Sequence, residues 1–187
     1  MNKSINKISR ANQATKFTLS LFIMFLFSTQ YVFASDINQE NVINLINKER
    51  TSRGIPSLKV DGDLNQAAGL KSKDMINRSY FDHYAFGLSP WDFITISGYN
   101  YLYAGENLAM DFNTSEGVVK AWMNSPTHRD NILNPDFTET GIGIVKGDFT
   151  EDSNVRSTTM VSNMFGRKRP TISKIFDYIA KNVFGSF

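Results

Sequence analysis

The sequence WMNSPTHRDNIL at residues 122–133 decides what fold and site this chain is expected to form. It contains His128, one of only two histidines in the chain, at the start of a new predicted helix. Ser125 is a favourable N-cap, because its hydroxyl can accept a backbone N–H from the first helical turn. Pro126 suits the first helical position, where a backbone N–H has no helical partner. These two residues are expected to fix the direction in which His128 points.

Two further residues, His83 and Glu106, complete the set of candidate ligands. Glu106 stands between Gly105 and Asn107 in an otherwise apolar run. A carboxylate there has to be solvated in a cleft or paired, because burying it alone is costly. Two histidines and a glutamate match the ligand chemistry of an open zinc site, but their separations correspond to no metal-binding motif. Either histidine taken singly is explained more simply as a hydrogen-bonding residue of the core or its edge.

Residues 1–34 are predicted to be a signal peptide. Four basic residues and no acidic one precede an apolar run at residues 17–27, and the triplet ending at Ala34 suits cleavage before Ser35. The alternative is a retained membrane anchor. The run of about 11 residues, or about 18 if counted to Ala34, is short of the roughly 20 that a bilayer span needs. Cleavage and a secreted or envelope location are therefore expected.

The charge of the chain is unevenly distributed along its length. The formal net charge of +2 becomes −2 without the predicted leader, with −6 in residues 35–166 and +4 in residues 167–187. An acidic globule with a basic tail is a poor candidate for binding nucleic acid. The chain has no cysteine, which excludes thiol catalysis and thiolate metal sites. A domain at residues 35–167 must then be stabilised by its apolar core alone.

Hydrophobic periodicity predicts an α+β domain in which several helices precede late antiparallel strands. The predicted helices lie at residues 38–53, from a cap at Asp63 to about 78, 90–96, 115–124 and from 126 onward. Residues 99–103 are predicted to be extended as they enter the Gly-Glu-Asn segment. The late strands are predicted at residues 141–145 and 158–165, with a polar hairpin loop at residues 147–156 between them.

Four segments in this order resemble the CAP superfamily, which includes cysteine-rich secretory proteins, antigen 5 and pathogenesis-related proteins of group 1. They are FDH at residues 81–83, GENLA at 105–109, the stretch at 122–133, and GIG at 141–143. INKER at residues 46–50 and LKV at residues 58–60 also fit the bacterial branch, often called the SCP domain. The resemblance covers residues 37–167. It implies an α-β-α sandwich, with helices packed around a small, mainly antiparallel sheet, and a central cleft.

The resemblance also implies which residues line that cleft. In the animal members two histidines and two glutamates line it and can bind a divalent metal. His83 matches the first histidine and Glu106 one glutamate, whereas Ser125 stands where the second glutamate would be. The late strand at 158–165 has no histidine, and His128 instead matches the Ser-Pro-x-His-Arg motif of the bacterial branch. The implied metal ligands are therefore His83, Glu106 and His128, holding a weakly bound ion such as zinc.

The expected function is that of a secreted or envelope-associated binding module. Its cleft, formed by His83, Glu106, His128, Asn107 and Ser125, is expected to take a small molecule, a lipid or an envelope component. Two alternatives remain open. One is a hydrolase or protease that uses Glu106 and a histidine as an acid/base pair, and the other is a structural envelope protein with a vestigial cleft. Binding is favoured over hydrolysis because Ser125 is explained as a helix cap and no strained nucleophile turn surrounds it.

The tail at residues 168–187 is basic and amphipathic. After Lys168-Arg169-Pro170, either Thr171 or Ser173 can cap a helix. Its apolar residues fall at helical spacing on one side: Ile172, Ile175, Phe176, Ile179 and Val183. Such a short helix needs a surface to cover its apolar stripe. That surface is either the chain's own domain or an anionic membrane or envelope surface contacted through residues 171–187.

Overall fold

A computed structural model of the chain describes residues 36–179 and 181–182. The predicted signal peptide at residues 1–34 lies outside the described residues, as do residue 180 and residues 183–187 at the end of the tail. Within the described part of the chain, no helix combines the length and the hydropathy needed to cross a bilayer.

The described residues form helices around one four-stranded sheet. The helices are α1 (Gln39–Thr51), α2 (Gly62–Arg78), α3 (Pro90–Ile96), α4 (Ser115–Asn124), α5 (Pro126–Leu133) and α6 (Ile172–Ile179). The strands are β1 (Lys59–Val60), β2 (Tyr101–Met110), β3 (Glu139–Glu151) and β4 (Asn154–Lys168). Their order in the sheet is β1-β3-β4-β2. Only the pairing of β1 with β3 is parallel, so the predicted α+β class with a mainly antiparallel sheet is confirmed.

The sheet lies between two layers of helices because side chains of a strand alternate between its faces. On β4, Val161 and Phe165 pack into a core with residues of α1, α4 and α5. Met164 packs on the opposite face with residues of α2 and α3, and Met160 packs with the C-terminal half of α2. The three layers form the α-β-α arrangement that the resemblance implies.

Helix α2 lies unusually close to strand β3. A Cβ atom built on Gly143 would lie 2.2 Å from backbone atoms of Ala68, and one built on Gly141 would lie 2.2 Å from the backbone of Leu64. Backbone therefore contacts backbone at this point, which no larger residue on this face of β3 would permit. The Gly-Ile-Gly segment of β3 thus determines the distance between the sheet and the α2 layer.

A buried arginine connects α1 to the other helices of its layer. Near the end of α1 the structure buries Arg50. Its guanidinium donates hydrogen bonds to four backbone carbonyls, those of Pro56, Ile132, Asn134 and Phe137, at 2.8–3.1 Å. An arginine can be buried here because its donors have acceptors, and hydrophobic spacing alone does not reveal such acceptors.

Three predicted boundaries are wrong for identifiable reasons. Asp61, not Asp63, caps α2, since its carboxylate accepts the backbone N–H groups of Asp63 and Leu64. The predicted loop at 147–156 is largely strand, and the turn consists only of Asp152 and Ser153, both with positive φ. Such a two-residue turn matches the twist of the hairpin. Strand β2 continues through the Gly-Glu-Asn segment to Met110 instead of ending before it.

The close contact between β3 and α2 predicts the effect of an alanine substitution. Gly143→Ala is expected to lower the free energy of unfolding by about 1–3 kcal/mol or more, because the new methyl group overlaps the α2 backbone. Gly69→Ala is the matched control, since Gly69 lies on α2 and a Cβ there meets nothing within 4 Å. It is expected to raise stability by up to about 1 kcal/mol through helix propensity. Urea denaturation measures both, and equal effects would contradict the packing described.

Candidate functional site

Strand β2 positions the candidate site because it is the edge strand of the sheet. Its residues 104–110 pair with β4 in regular antiparallel register, so consecutive side chains point to opposite faces. Leu108 packs with residues of α2 on one face, and Glu106, two residues earlier, lies on that same face. Asn107 lies on the other face, toward α5. One short segment therefore contributes to both sides of the sheet.

The structure places His83 directly against Glu106. The Nδ1 atom of His83 lies 2.6 Å from the Oε2 atom of Glu106, a charge-assisted hydrogen bond when the imidazole carries its second proton. The Glu106 side chain is 2% exposed, whereas that of His83 is 44% exposed. The pair thus joins a buried carboxylate to an imidazole that is in contact with solvent.

The second oxygen of Glu106 is the least satisfied atom of the site. Its Oε1 atom is buried and has no hydrogen-bond partner among the residues that the structure describes. A buried carboxylate oxygen without a donor loses its hydration without compensation, and this costs more than an ordinary hydrogen bond returns. A group that donates a hydrogen bond to Oε1 would therefore bind at this position with a favourable free energy.

Lys71 holds the segment that carries His83. This lysine of α2 is fully buried, and its Nζ atom donates to the backbone carbonyls of Asp82 and His83 at 2.8 and 2.9 Å. A third contact reaches the hydroxyl of Tyr80 at 3.3 Å. The sequence predicts Lys71 on the buried side of α2 but gives it no role. The sequence nevertheless contains an indication of this role, because a lysine at a buried helical position needs hydrogen-bond acceptors.

The charges around the pair shift its pKa values in a consistent way. Burial raises the pKa of Glu106, against the hydrogen bond from His83 and the charge of Lys71. The hydrogen bond to Glu106 raises the pKa of His83 above the usual value. Burial lowers the pKa of Lys71, although the charge of Glu106 opposes that change. The pKa of Glu106 therefore depends on His83 and Lys71, and the pKa values of those two residues depend on Glu106.

His128 lies in the first turn of α5. Its carbonyl accepts a hydrogen bond from the Nδ2 atom of Asn107 at 2.9 Å. Ser125 is the N-cap of α5 as predicted, but its side chain does not make the capping hydrogen bond that was expected. Its hydroxyl instead lies 2.9 Å from the Nδ1 atom of His128. Burial and the charge of His83 both lower the pKa of His128.

Asn131 connects α5 to the Gly-Glu-Asn segment of β2, although the sequence alone assigns it no role. Its Nδ2 atom donates to the carbonyl of Glu106 at 3.0 Å and to the side-chain oxygen of Asn107 at 2.9 Å. Gly105 makes this approach possible, because a Cβ there would lie 2.7 Å from the ring of Phe137 and 3.3 Å from Asn131. The three residues of the Gly-Glu-Asn segment thus have separate roles. The glycine allows Phe137 and Asn131 to approach the strand, the glutamate contacts His83, and the asparagine binds to α5.

The predicted metal ligation does not fit this arrangement. Among the described residues, no group of three or more histidine, aspartate or glutamate side chains is arranged to hold a metal ion. Two ligand atoms each about 2 Å from one zinc ion stand roughly 3.3 Å apart in a tetrahedral site. His83 Nδ1 and Glu106 Oε2 are closer than that, in direct hydrogen-bond contact. Ligation of one ion through these two atoms would require this contact to open.

The two histidines are predicted to titrate on opposite sides of the usual histidine pKa of about 6.5. His83 is expected above it and His128 below it, because the pKa of His83 is raised and that of His128 is lowered. The stabilisation from the raised pKa of His83 is complete below about pH 6.5 and is lost as pH rises through the folded-state pKa. NMR of the imidazole protons against pH measures both midpoints. Glu106→Gln should lower the titration midpoint of His83. Equal midpoints for the two histidines in the unsubstituted protein would contradict the pairing of His83 with Glu106.

Removing the buried ammonium is predicted to loosen the segment around His83. Lys71→Met leaves the carbonyls of Asp82 and His83 without their donor, so the free energy of unfolding should fall by roughly 1–3 kcal/mol. Amide hydrogen exchange at residues 80–84 should accelerate more than the exchange elsewhere in the chain. The matched control is Lys73→Met, at an exposed position of the same helix, which should change neither quantity. Equal effects of the two substitutions would show that Lys71 does not hold this segment.

Comparison with known proteins identifies the family. The profile of the cysteine-rich secretory protein family, CAP, matches residues 43–165. The protein YkwD of Bacillus subtilis (strain 168) is 46% identical over 110 residues, which cover 58% of this chain and 42% of YkwD. The membrane protein YlbC of the same organism is 29% identical over 117 residues, which cover 62% of this chain and 34% of YlbC. The chain thus matches less than half the length of either relative.

Solved structures agree with this fold. An extracellular protein containing an SCP domain from Bacillus anthracis str. Ames is 28% identical with a TM-score of 0.60, over 70% of this chain and 40% of that one. An outer surface protein from Borrelia burgdorferi is 21% identical with a TM-score of 0.58, over 73% of this chain and all of that one, and shows the fold alone. The predicted CAP-type sandwich is confirmed, and the chain belongs to the CAP family.

Proposed function

We propose that this chain is an extracytoplasmic binding module that takes a small or lipidic ligand at the His83–Glu106 pair. The observation that carries the proposal is the buried Oε1 atom of Glu106, which has no hydrogen-bond donor among the described residues. A ligand hydroxyl or amine would supply that donor. A buried and incompletely satisfied carboxylate lowers stability, and a protein retains such a group where it serves recognition.

The surroundings of His83 suit a ligand that is partly apolar. Three aromatic side chains of the same segment are exposed: Phe81, Tyr84 and Phe86. Residues from Tyr84 to Ser89 line a depression of about 420 Å³ that follows His83 in the chain but is lined by neither His83 nor Glu106. Exposed rings beside a polar pair offer an apolar surface to one part of a ligand and a charged acceptor to another. This combination favours an amphiphilic ligand over a purely ionic one.

Binding is better supported than hydrolysis. Ser125 contacts His128 within the first turn of α5, but the hydrogen bonds of the described residues include no carboxylate that orients the ring of His128. A serine nucleophile requires a base that a third group holds in position. Glu106 is bonded to His83 and almost fully buried, so in this arrangement it does not contact solvent as a general base that activates a water molecule has to.

The location outside the cytoplasm is supported by two independent features. The predicted signal peptide at residues 1–34 has the charge and length of a cleaved leader. The Bacillus anthracis structure that this chain resembles is described as an extracellular protein. A binding module in that location would encounter lipids and other envelope components first.

The proposal predicts that the bound species depends on Glu106. Native mass spectrometry of the protein purified from its own envelope is expected to detect a noncovalently bound small molecule. Glu106→Gln should lose it, because an amide is a weaker acceptor than a carboxylate and its N–H₂ group can oppose the ligand donor. Elemental analysis of the same samples reports any metal.

The matched control is Glu40→Gln, at an exposed position in the first turn of α1, which should retain the bound species. Thermal denaturation is measured alongside, and Glu106→Gln is expected to remain folded with lower stability, because it removes the charge that pairs with His83 and Lys71. A species that stays bound in the Glu106→Gln variant would place binding elsewhere. An unsubstituted protein that carries no bound molecule would overturn the proposal.

A further inference from the structure

Helix α6 presents an apolar stripe that the described residues of the domain leave exposed. Ile172, Ile175, Phe176 and Ile179 recur at the spacing i, i+3, i+4 and i+7, which places them on one side of the helix. Their exposed fractions are 73%, 44%, 66% and 37%. Docking of this stripe onto the chain's own domain, one of the two options that the sequence leaves open, is therefore not what the structure shows.

The start of α6 is nevertheless firmly attached to the domain. The backbone N–H of Arg169 donates to the carbonyl of Asn100, and its Nε atom donates to the carbonyl of Tyr101, at 3.0 and 2.9 Å. Lys168 forms an ion pair with Asp61 at 2.6 Å. These contacts hold the chain just before the helix against the edge of the sheet, and they leave the helix itself to project its apolar side outward.

The charge of this segment points to the chemistry of its partner. Residues 167–187 contain five basic residues and one acidic residue, and residues 35–166 carry a net charge of −6. Lys181, just after α6, is exposed, and the side chains of Arg167 and Lys168 remain about half exposed despite their ion pairs. A basic segment with an apolar stripe complements a surface that is anionic outside and apolar beneath.

The size of the stripe argues against a protein partner. A stable interface between two protein molecules buries about 800 Å² on each partner, which four side chains on one eight-residue helix cannot supply alone. A lipid bilayer has no such requirement, because an amphipathic helix lies in the headgroup region and inserts only its apolar side chains. Basic residues near an anionic leaflet add an attraction that falls with salt.

We propose that α6 and the basic residues around it attach the domain reversibly to an anionic lipid bilayer. The attachment is independent of the cleft at His83 and Glu106, so it stands or falls separately from the proposed function. It would hold the cleft close to a membrane while the domain itself remains outside the bilayer.

A site-specific label tests the proposal without interference from the apolar leader. Because the chain has no cysteine, Phe176→Cys introduces a single thiol in the stripe for a polarity-sensitive fluorophore. Vesicles of phosphatidylglycerol and phosphatidylcholine should raise its emission and shift it to shorter wavelength at about 0.02 M salt. The change should be lost at about 0.5 M NaCl, where charges are screened over a few ångströms. Pure phosphatidylcholine vesicles should have little effect.

The matched control is Val155→Cys, labelled in the same way at an exposed apolar position of the β3–β4 hairpin, which should not respond. A second variant, Ile175→Asn with Ile179→Asn, should abolish the response of the label at position 176 while circular dichroism and thermal denaturation remain unchanged. The proposal is overturned if the label at 176 ignores anionic vesicles at low salt. It is also overturned if the label responds to protein concentration without vesicles, which would indicate a second copy of the chain as the partner.

Discussion

The pairing of β2 with β4 at the edge of the sheet is the constraint on which the candidate site depends. Regular antiparallel register through residues 104–110 forces alternate side chains to opposite faces. Glu106 is thereby directed to the α2 side, where it meets His83, and Asn107 to the α5 side, where it holds the carbonyl of His128. A shift of one residue would exchange these roles and separate every contact of the site.

Two buried cations organise the segments that the sheet does not hold. Arg50 donates to carbonyls in the last turn of α5 and after it, and Lys71 donates to those of Asp82 and His83. A chain without disulfides has to fix its irregular segments by other means, and hydrogen bonds from a buried charge to backbone carbonyls are stronger than neutral ones. The same arrangement places the charge of Lys71 near Glu106, so the group that orders the segment also acts on the carboxylate of the site.

The sequence predicts the fold class and most elements, because periodic apolar residues and helix-capping residues are local signals. It does not predict contacts that depend on partners distant in the chain. Ser125 has the sequence of a capping residue, yet its hydroxyl contacts His128, since the histidine three residues later competes with the backbone donors. Asn131 and Lys71 act on carbonyls whose positions follow only from the packed sheet and loops. The carbonyls that Asn131 and Lys71 bind could therefore be identified only once the three-dimensional arrangement was known.

The account centres on a buried carboxylate that keeps one oxygen for a donor from outside the protein. The imidazole of His83 satisfies Oε2, and Oε1 has no hydrogen-bond partner among the described residues. A high-resolution crystal structure of the protein isolated from its own envelope tests this most directly. The account predicts electron density for a non-protein group whose donor atom lies about 2.7–3.2 Å from Oε1. A structure in which a protein side chain or backbone N–H occupies that position, or in which Glu106 turns away from His83 into solvent, would contradict it.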